Sequence, residues 1–324
     1  MIRKTINPII ILLCIIVLLP LSNCAQEELT SKDKVDLIDK ASKLLNDNYV
    51  FPDVASKIEK HLKSQLLKGV FNSITNQTEF AEKLTSEMQS ISNDKHMRCF
   101  SSNGRSVKRQ KRNSPLIGNE YNQLKNEQGF SFCRVGIIDN NIGVLDIYGF
   151  PESKSAEKSV DEAMNAISSV SVLIIDLRRN GGGSPDLIRY ICSYFFDKPT
   201  HINSIYWRST NKTVDFITSE KVVGKKLTNI PVYVLTSSFT FSGGEEFAYN
   251  FQTQKRGTLI GEVTGGGANP GDVFPVNEYF EIFIPTGRAI NPITKTNWEG
   301  NGVKPDIEVE AAKAFEVAIS KIQK

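Results

Sequence analysis

The chain has 324 residues, 40% of them hydrophobic and 23% charged, with a formal net charge of +3. That length supports a sizeable core and two domains, and the near balance of charge gives no basis for nucleic acid as a partner. Three histidines and five cysteines, with no CxxC pair, leave no zinc-site spacing, so neither a metal nor a cofactor is expected.

The chain opens with Arg3 and Lys4, an unbroken apolar run from Ile9 to Leu19, and then Pro20-Leu21-Ser22-Asn23-Cys24-Ala25-Gln26. A basic start, a short apolar core and small residues behind it read as a secretory leader over residues 1–25. The run is shorter than the ~20 residues of a membrane span. Leu21-Ser22-Asn23-Cys24 also resembles a bacterial lipobox, making Cys24 a candidate for lipidation and membrane anchoring. Cleavage after Ala25 is the alternative, and Asn23 is irregular for both. Either way the protein is expected in the bacterial cell envelope, the periplasm or outside the cell. Loss of Arg3 and Lys4 with the leader brings the mature chain close to neutral. Cys99, Cys133 and Cys192 then remain, enough for one disulfide at most.

Residues 26–100 read as a small helical domain behind a polar tether. Val35, Ile38, Ala41 and Leu45 share one face of a helix from about Asp33 to Asn46, which Tyr49-Val50-Phe51-Pro52 ends. Val54, Ile58, Leu62 and Leu66 mark a second helix that stops at Gly69. Phe80, Leu84, Met88 and Ile91 mark a third, with Asn76 and Glu79 placed to cap it. His61 sits beside the second apolar stripe and reads as a surface or boundary residue. The third helix exits through Asn93-Asp94-Lys95-His96-Met97-Arg98, so His96 is either a last-turn cation or a base presented from a loop. Residues 101–130 form a polar, irregular linker whose basic run, Arg105 to Arg112, reads as a solvated loop.

From residue 131 to 324 strands and helices alternate. Val135–Ile138 and Ile142–Ile147 form a hairpin around Asp139-Asn140-Asn141, and a helix follows from Glu152 to Ser169. The apolar strand Val172–Leu177 runs into Arg178-Arg179-Asn180-Gly181-Gly182-Gly183 and a helix from Pro185 to about Phe195. His201 precedes an edge-like strand over Ile202–Trp207 and reads as a surface residue. Val232–Leu235 leads through Phe239-Thr240-Phe241-Ser242-Gly243-Gly244 into a further helix. Glycine- and proline-punctuated β structure over 259–309 and a helix from Ala311 to Ile322 complete an α/β pattern with a mostly parallel sheet.

Two of these turns present free backbone N–H groups at C-terminal strand ends, where ligands of parallel sheets bind. Neither has the spacing of a nucleotide loop. An oxyanion hole beside a serine nucleophile is the remaining use, with Ser242 at a strand-to-helix turn. The same serine is also a favoured N-cap, and Glu245 three residues on completes a capping box. His96 is the histidine placed to act as a base, and Glu299, in Asn297-Trp298-Glu299-Gly300-Asn301-Gly302, is a candidate orienting acid.

Asp176-Leu177-Arg178-Arg179-Asn180-Gly181-Gly182-Gly183, Thr240-Phe241-Ser242-Gly243-Gly244-Glu245, Gly261-Glu262-Val263-Thr264-Gly265-Gly266-Gly267 and Gly302-Val303-Lys304-Pro305-Asp306 occur in that order. In these motifs the chain, from about Asp33 onward, resembles the carboxy-terminal processing (tail-specific) serine protease family. The nearer resemblance is to its branch with interphotoreceptor retinoid-binding protein repeats and the tricorn protease core. The resemblance implies a crotonase-like β/α core behind the helical N-terminal domain. It implies Ser242 as nucleophile, amides of Gly243, Gly182 and Gly183 as oxyanion hole, His96 as base and Glu299 as its acidic partner. It implies peptide or protein substrates. Two departures stand out. The Gly-Lys-Gly loop of the processing proteases is Gly265-Gly266-Gly267 here, so a Ser–His–Glu arrangement replaces a Ser–Lys dyad. The stretch from His96 to Phe130 is too short for an inserted PDZ domain. Glu245 stands as an alternative acid beside its capping role. A non-catalytic module binding apolar ligands or peptides is the alternative on the same fold, and an esterase is a third reading.

Overall fold

A computed structural model describes residues 28–101, 125–138 and 141–323. The leader, Cys24 and the basic run at 105–112 lie outside the described residues.

Three helices open the fold: α1 (Ser31–Asn48), α2 (Pro52–Leu67) and α3 (Gln77–Ser92). Thr30 caps α1, with Oγ1 accepting from Asp33 N while the Asp33 carboxylate accepts from Thr30 N. This reciprocal cap moves the start ahead of the expected Asp33. Pro52 opens α2, and Asn76 Oδ1 accepts from the Thr78 and Glu79 amides to open α3. Asn93, left-handed at φ 54°, ends α3. Ile38, Leu45, Ile58, Leu62, Leu84 and Met88 face one core. Val35 does not; it is exposed, and Leu37 turns inward in its place.

The chain leaves α3 as strand β1 (Arg98–Ser101). The remaining elements are β2 (Lys125–Gly129), β3 (Cys133–Ile138), β4 (Ile142–Ile147), α4 (Lys154–Ala166), β5 (Val172–Asp176), α5 (Pro185–Cys192), β6 (His201–Trp207), β7 (Lys212–Ile217), β8 (Val232–Thr236), α6 (Gly243–Thr253), β9 (Thr258–Gly261), β10 (Gly271–Pro275), β11 (Phe280–Pro285), β12 (Gly287–Ile290), β13 (Ile307–Glu308) and α7 (Ala314–Ile322).

Seven strands form the main sheet in the order β13-β9-β8-β5-β4-β3-β2. From β4 to β13 the pairing is parallel; β3 and β2 add an antiparallel end. Every residue of β4 is buried, as expected for a strand covered on both faces. Leu145, Ile175 and Val234 point into a core with α4, α5 and α6; their neighbours Val144, Ile174 and Leu235 pack against α7. A second sheet, β12-β6-β7, places β6 in its middle, so His201 opens a central strand rather than an edge.

The third sheet, β1-β11-β10, joins the two parts of the chain. β1 pairs antiparallel with β11, and Ile282 and Ile284 of β11 enter the helical core. The segments expected as separate domains at 26–100 and 131–324 therefore share a sheet and a core. His96 and Ser242, one from each, are brought to this junction.

Candidate active site

Ser242 stands at the N-terminus of α6, on a turn sewn to the turn that follows β5. Ser237 Oγ donates to Arg178 O at 2.6 Å, Thr240 Oγ1 donates to Leu177 O at 2.8 Å, and Phe241 N donates to Asn180 O at 3.0 Å. Ser242 itself has φ 56° and ψ −121°, a conformation that costs a non-glycine residue about 1–3 kcal/mol. Glu245 holds it there. Fully buried, its Oε2 accepts from Ser242 N at 2.9 Å and Gly267 N at 2.8 Å, while Oε1 accepts from Thr264 Oγ1 and from Gly266 N at 2.6 Å. Burial keeps this carboxyl above its usual range against the pull of those donors. Its contacts are those of a clamp between the serine turn and the 264–267 loop.

Asn180 shapes the facing turn. Its Nδ2 donates to Ile147 O at 3.1 Å, and its Oδ1 accepts from Gly182 N at 2.8 Å. The Gly182 amide is thus already committed, unlike its expected role as an oxyanion donor. Gly182 instead supplies room: its φ is 102°, and a Cβ there would lie 2.7 Å from Ser242 Cβ. The amides of Gly183 and Gly243 have no hydrogen-bond partner among the described residues. They are neighbours, since a Cβ on Gly243 would lie 2.9 Å from Gly183 N. Two unbonded N–H groups beside a serine at a helix N-terminus suit a developing negative charge.

His96 comes from the loop after α3. Gln89 Nε2 donates to Met97 O at 2.9 Å, and the buried Asp94 carboxylate accepts from His96 N at 3.1 Å, Tyr49 OH at 3.2 Å and Asn269 Nδ2 at 2.9 Å. The imidazole ring lies 4.7 Å from the Phe241 ring, next to Ser242, and stacks on Phe283 at 5.7 Å. Glu299 accepts from Lys95 N at 2.9 Å, Ala268 N at 2.6 Å and Asn269 N at 3.0 Å. One ligand-type atom each of Asp94, His96 and Glu299 lies within 4.8 Å of the others. Each carboxylate oxygen of the pair already accepts a hydrogen bond. His96 Nδ1 is buried without a partner among the described residues. Glu299 therefore joins the two loops around the histidine and lies close to the ring without the expected hydrogen bond to it. Asp94, quoted in the sequence motif without a role, is the second acid here.

Burial holds the His96 pKa down to about 4, helped by the positive charge of Arg98. Burial and then the Asp94 charge push Glu299 up to about 7. Asp94 is raised by its own burial. The loop that lacks the lysine is also sterically crowded at Gly267. A Cβ at Gly267 would meet Phe241 Cζ at 2.3 Å and His96 Cε1 at 2.8 Å, so the histidine and phenylalanine rings occupy the space beside this loop.

The other histidines are remote from this cluster. His61 bonds Glu87 at 2.6 Å, and His201 Nε2 lies 2.8 Å from Ser204 Oγ on β6. Cys99, Cys133 and Cys192 are buried free thiols.

Comparison with known proteins bears on this arrangement. The model described as peptidase family S41 matches residues 141–309, and the one described as the N-terminal domain of peptidase S41 in eukaryotic IRBP matches residues 25–132. The carboxy-terminal processing protease CtpA of Bacillus subtilis is 28% identical over 182 residues, covering 53% of this chain and 36% of its own. The chain spans about a third of the length of the curated relatives it matches. A crystal structure of a candidate peptidase from Parabacteroides merdae superposes with a TM-score of 0.68 at 19% identity, covering 90% of this chain and 97% of that one. The photosystem II D1 C-terminal processing protease gives a TM-score of 0.53 at 14% identity over 87% and 94% of the two chains. These two likenesses establish the fold.

Proposed function

The chain belongs to peptidase family S41, and we propose that it is an exported serine peptidase that cleaves peptide bonds by acyl transfer at Ser242. The observation that carries this reading is the strained Ser242 backbone, held by Glu245 beside the unbonded amides of Gly183 and Gly243. Ser242 Oγ adds to the scissile carbonyl carbon as its proton passes to His96. The carbonyl oxygen, now negative, takes the two glycine N–H donors, each worth about 3 kcal/mol in such a site. Collapse breaks the C–N bond, and the departing amine takes the proton from His96. Water then repeats the sequence on the acyl-enzyme and releases the acid.

Asp94 and Glu299 provide the negative charge that stabilises the transient imidazolium, and they position the loop that carries it. Glu245 is assigned no proton transfer, because all its contacts are structural. Export follows from the basic and apolar leader, with Cys24 as the lipid anchor. Incorporation of labelled palmitate into wild type but not into Cys24→Ala is the expected sign of that anchor.

A fluorophosphonate probe tests the chemistry. It should label wild type, fail on Ser242→Ala and slow at least a hundredfold on His96→Ala. Wild type that never labels, or His96→Ala that labels as fast as wild type, refutes the proposal.

A further inference from the structure

The two edges of the β1-β11-β10 sheet differ. The β1 edge is closed by α3: Cys99 N donates to Thr85 Oγ1 at 2.9 Å, and Gln89 Nε2 donates to Met97 O at 2.9 Å. Among the described residues the β10 edge is open. Its phase is fixed at the hairpin end, where Val276 N donates to Phe280 O at 2.8 Å. Antiparallel bonding alternates, so Phe274 with Ile282 and Asp272 with Ile284 are the pairs that exchange main-chain bonds. Val273 and Gly271 therefore turn their N–H and C=O groups outward. Neither has a hydrogen-bond partner beyond its own hairpin among the described residues.

This edge leads away from the nucleophile. Gly267, where an added Cβ would meet both Phe241 and His96, lies four residues before Gly271, a reach of at most ~14 Å. Cross-strand register puts Arg98, Phe283 and Val273 in one row on one face of the sheet. The opposite face carries Ile282 and Ile284 into the helical core. In this row Phe283 is half-buried and stacks on His96, and Val273 is 41% exposed.

We propose that the open edge of β10 docks an extended peptide substrate as the fourth strand of this sheet, with an apolar substrate side chain extending the Phe283–Val273 row. The inference rests on the peptidase reading above. Unpaired main-chain donors and acceptors call for a peptide backbone, and pairing with it gives affinity that tolerates sequence. The apolar row supplies selectivity, because residues directly opposite on paired strands share a face and pack together.

Reduced β-casein is digested with the full-length protein, and a twelve-residue peptide spanning a mapped cut is made with one backbone N-methyl group at each position in turn. The kcat/KM should fall at least tenfold at alternate positions on one side of the cut and stay within twofold between them. Val273→Pro removes the outward N–H without touching the bonds to β11. In that variant kcat/KM of the unmethylated peptide should fall at least tenfold, because the peptide carbonyl opposite residue 273 loses its donor, while the N-methyl penalty there persists, since the residue 273 carbonyl remains an acceptor. In wild type, aspartate at that peptide position should cost about tenfold, and leucine should be tolerated.

A penalty without alternation, or an unmethylated peptide cleaved as fast by Val273→Pro as by wild type, overturns the docking site. So does a change in sedimentation of Val273→Pro with cleavage unaltered, which would give this edge to a second copy of the chain. Phosphonate labelling of Ser242 separates the two failures. A flat scan on a protein that labels and cleaves defeats docking alone. A protein that neither labels nor cleaves defeats the peptidase reading, and the docking proposal with it.

Discussion

Asp94, which is buried, and Glu299, which is half-buried, lie close to the half-buried His96, and in the proposed mechanism their charge sets the expected pH dependence. His96 is already neutral above about pH 4, because burial disfavours its charged form. Glu299, raised to about 7 by burial and then by Asp94, must ionise to stabilise an imidazolium. Peptide kcat/KM should therefore climb with an apparent pKa near 7, and Glu299→Gln should move that limb down toward about 4 while lowering the plateau. A wild-type limb already near 4 would remove Glu299 from the chemistry. Stability follows the same groups with opposite signs. The unfolded chain protonates His96 below its ordinary 6.5, whereas the folded chain resists until about 4, so this contribution is lost as pH falls through that window. Glu299 ionises in the unfolded chain from its ordinary 4.5, but in the folded chain only near 7. Its contribution is full below 4.5 and lost as pH rises through 7. Whatever the fixed cost of exchanging an acceptor for an amide, the Tm of Glu299→Gln relative to wild type should rise from pH 5 to pH 8. At Gly267, substitution by lysine should not create a Ser–Lys dyad. Its Cβ would strike Phe241 at 2.3 Å and displace the His96 ring, so phosphonate labelling should fall rather than recover.

At the scale of elements, the site is two turns and a loop held by one carboxylate. Glu245 accepts from the serine turn and from three groups of the 264–267 loop. Glu245→Ala leaves the buried amides of Gly266 and Gly267 without acceptors and should cost about 3 kcal/mol or more. The measurable outcome is a fall of several degrees in Tm together with a labelling loss of at least a hundredfold; loss of either one alone would break the link between clamp and nucleophile. Half of this element was legible in the sequence. A serine followed three residues later by glutamate signals a capping box, and strand-then-glycine punctuation marks both turns, because each is a local pattern. The donors of Thr264, Gly266 and Gly267 were not legible, since they meet Glu245 only through tertiary folding. The same reason hid Asp94, whose partners Tyr49 and Asn269 come from distant segments. It also hid the pairing of β1, four residues long, with β11. The commitment of the Gly182 amide to Asn180 was equally invisible, because a run of glycines gives no sign of which N–H stays free.

At the scale of the molecule, His96 and Ser242, the proposed base and nucleophile, come from different parts of the chain, so the proposed activity would depend on the seam between them. Arg208, just after β6, is the clearest fastening. Its Nη1 donates to Tyr49 O at 2.6 Å and its Nη2 to Asn46 O at 2.9 Å, capping the C-terminal end of α1. That helix has no basic residue in its own last turn, so the cation its C-terminus favours comes from across the seam. Tyr49 in turn donates its hydroxyl to Asp94, which bonds the His96 amide. Val50 N adds a bond to Pro285 O at the end of β11. A chain of contacts thus runs from the core through α1 to the loop that carries His96. Removing two charge-assisted bonds in Arg208→Ala should cost about 2 kcal/mol. Because the helices share a sheet and a core with the rest, the loss should lower a single unfolding transition rather than split it. Scanning calorimetry of wild type should accordingly give one transition whose calorimetric and van't Hoff enthalpies agree. Ser242 labelling should slow in Arg208→Ala at temperatures where the variant is still folded, since the disturbance reaches His96 through Tyr49 and Asp94. Two separable transitions in wild type, or normal labelling in a destabilised Arg208→Ala, would mean that the helical segment is a separate domain and the seam does not position the base.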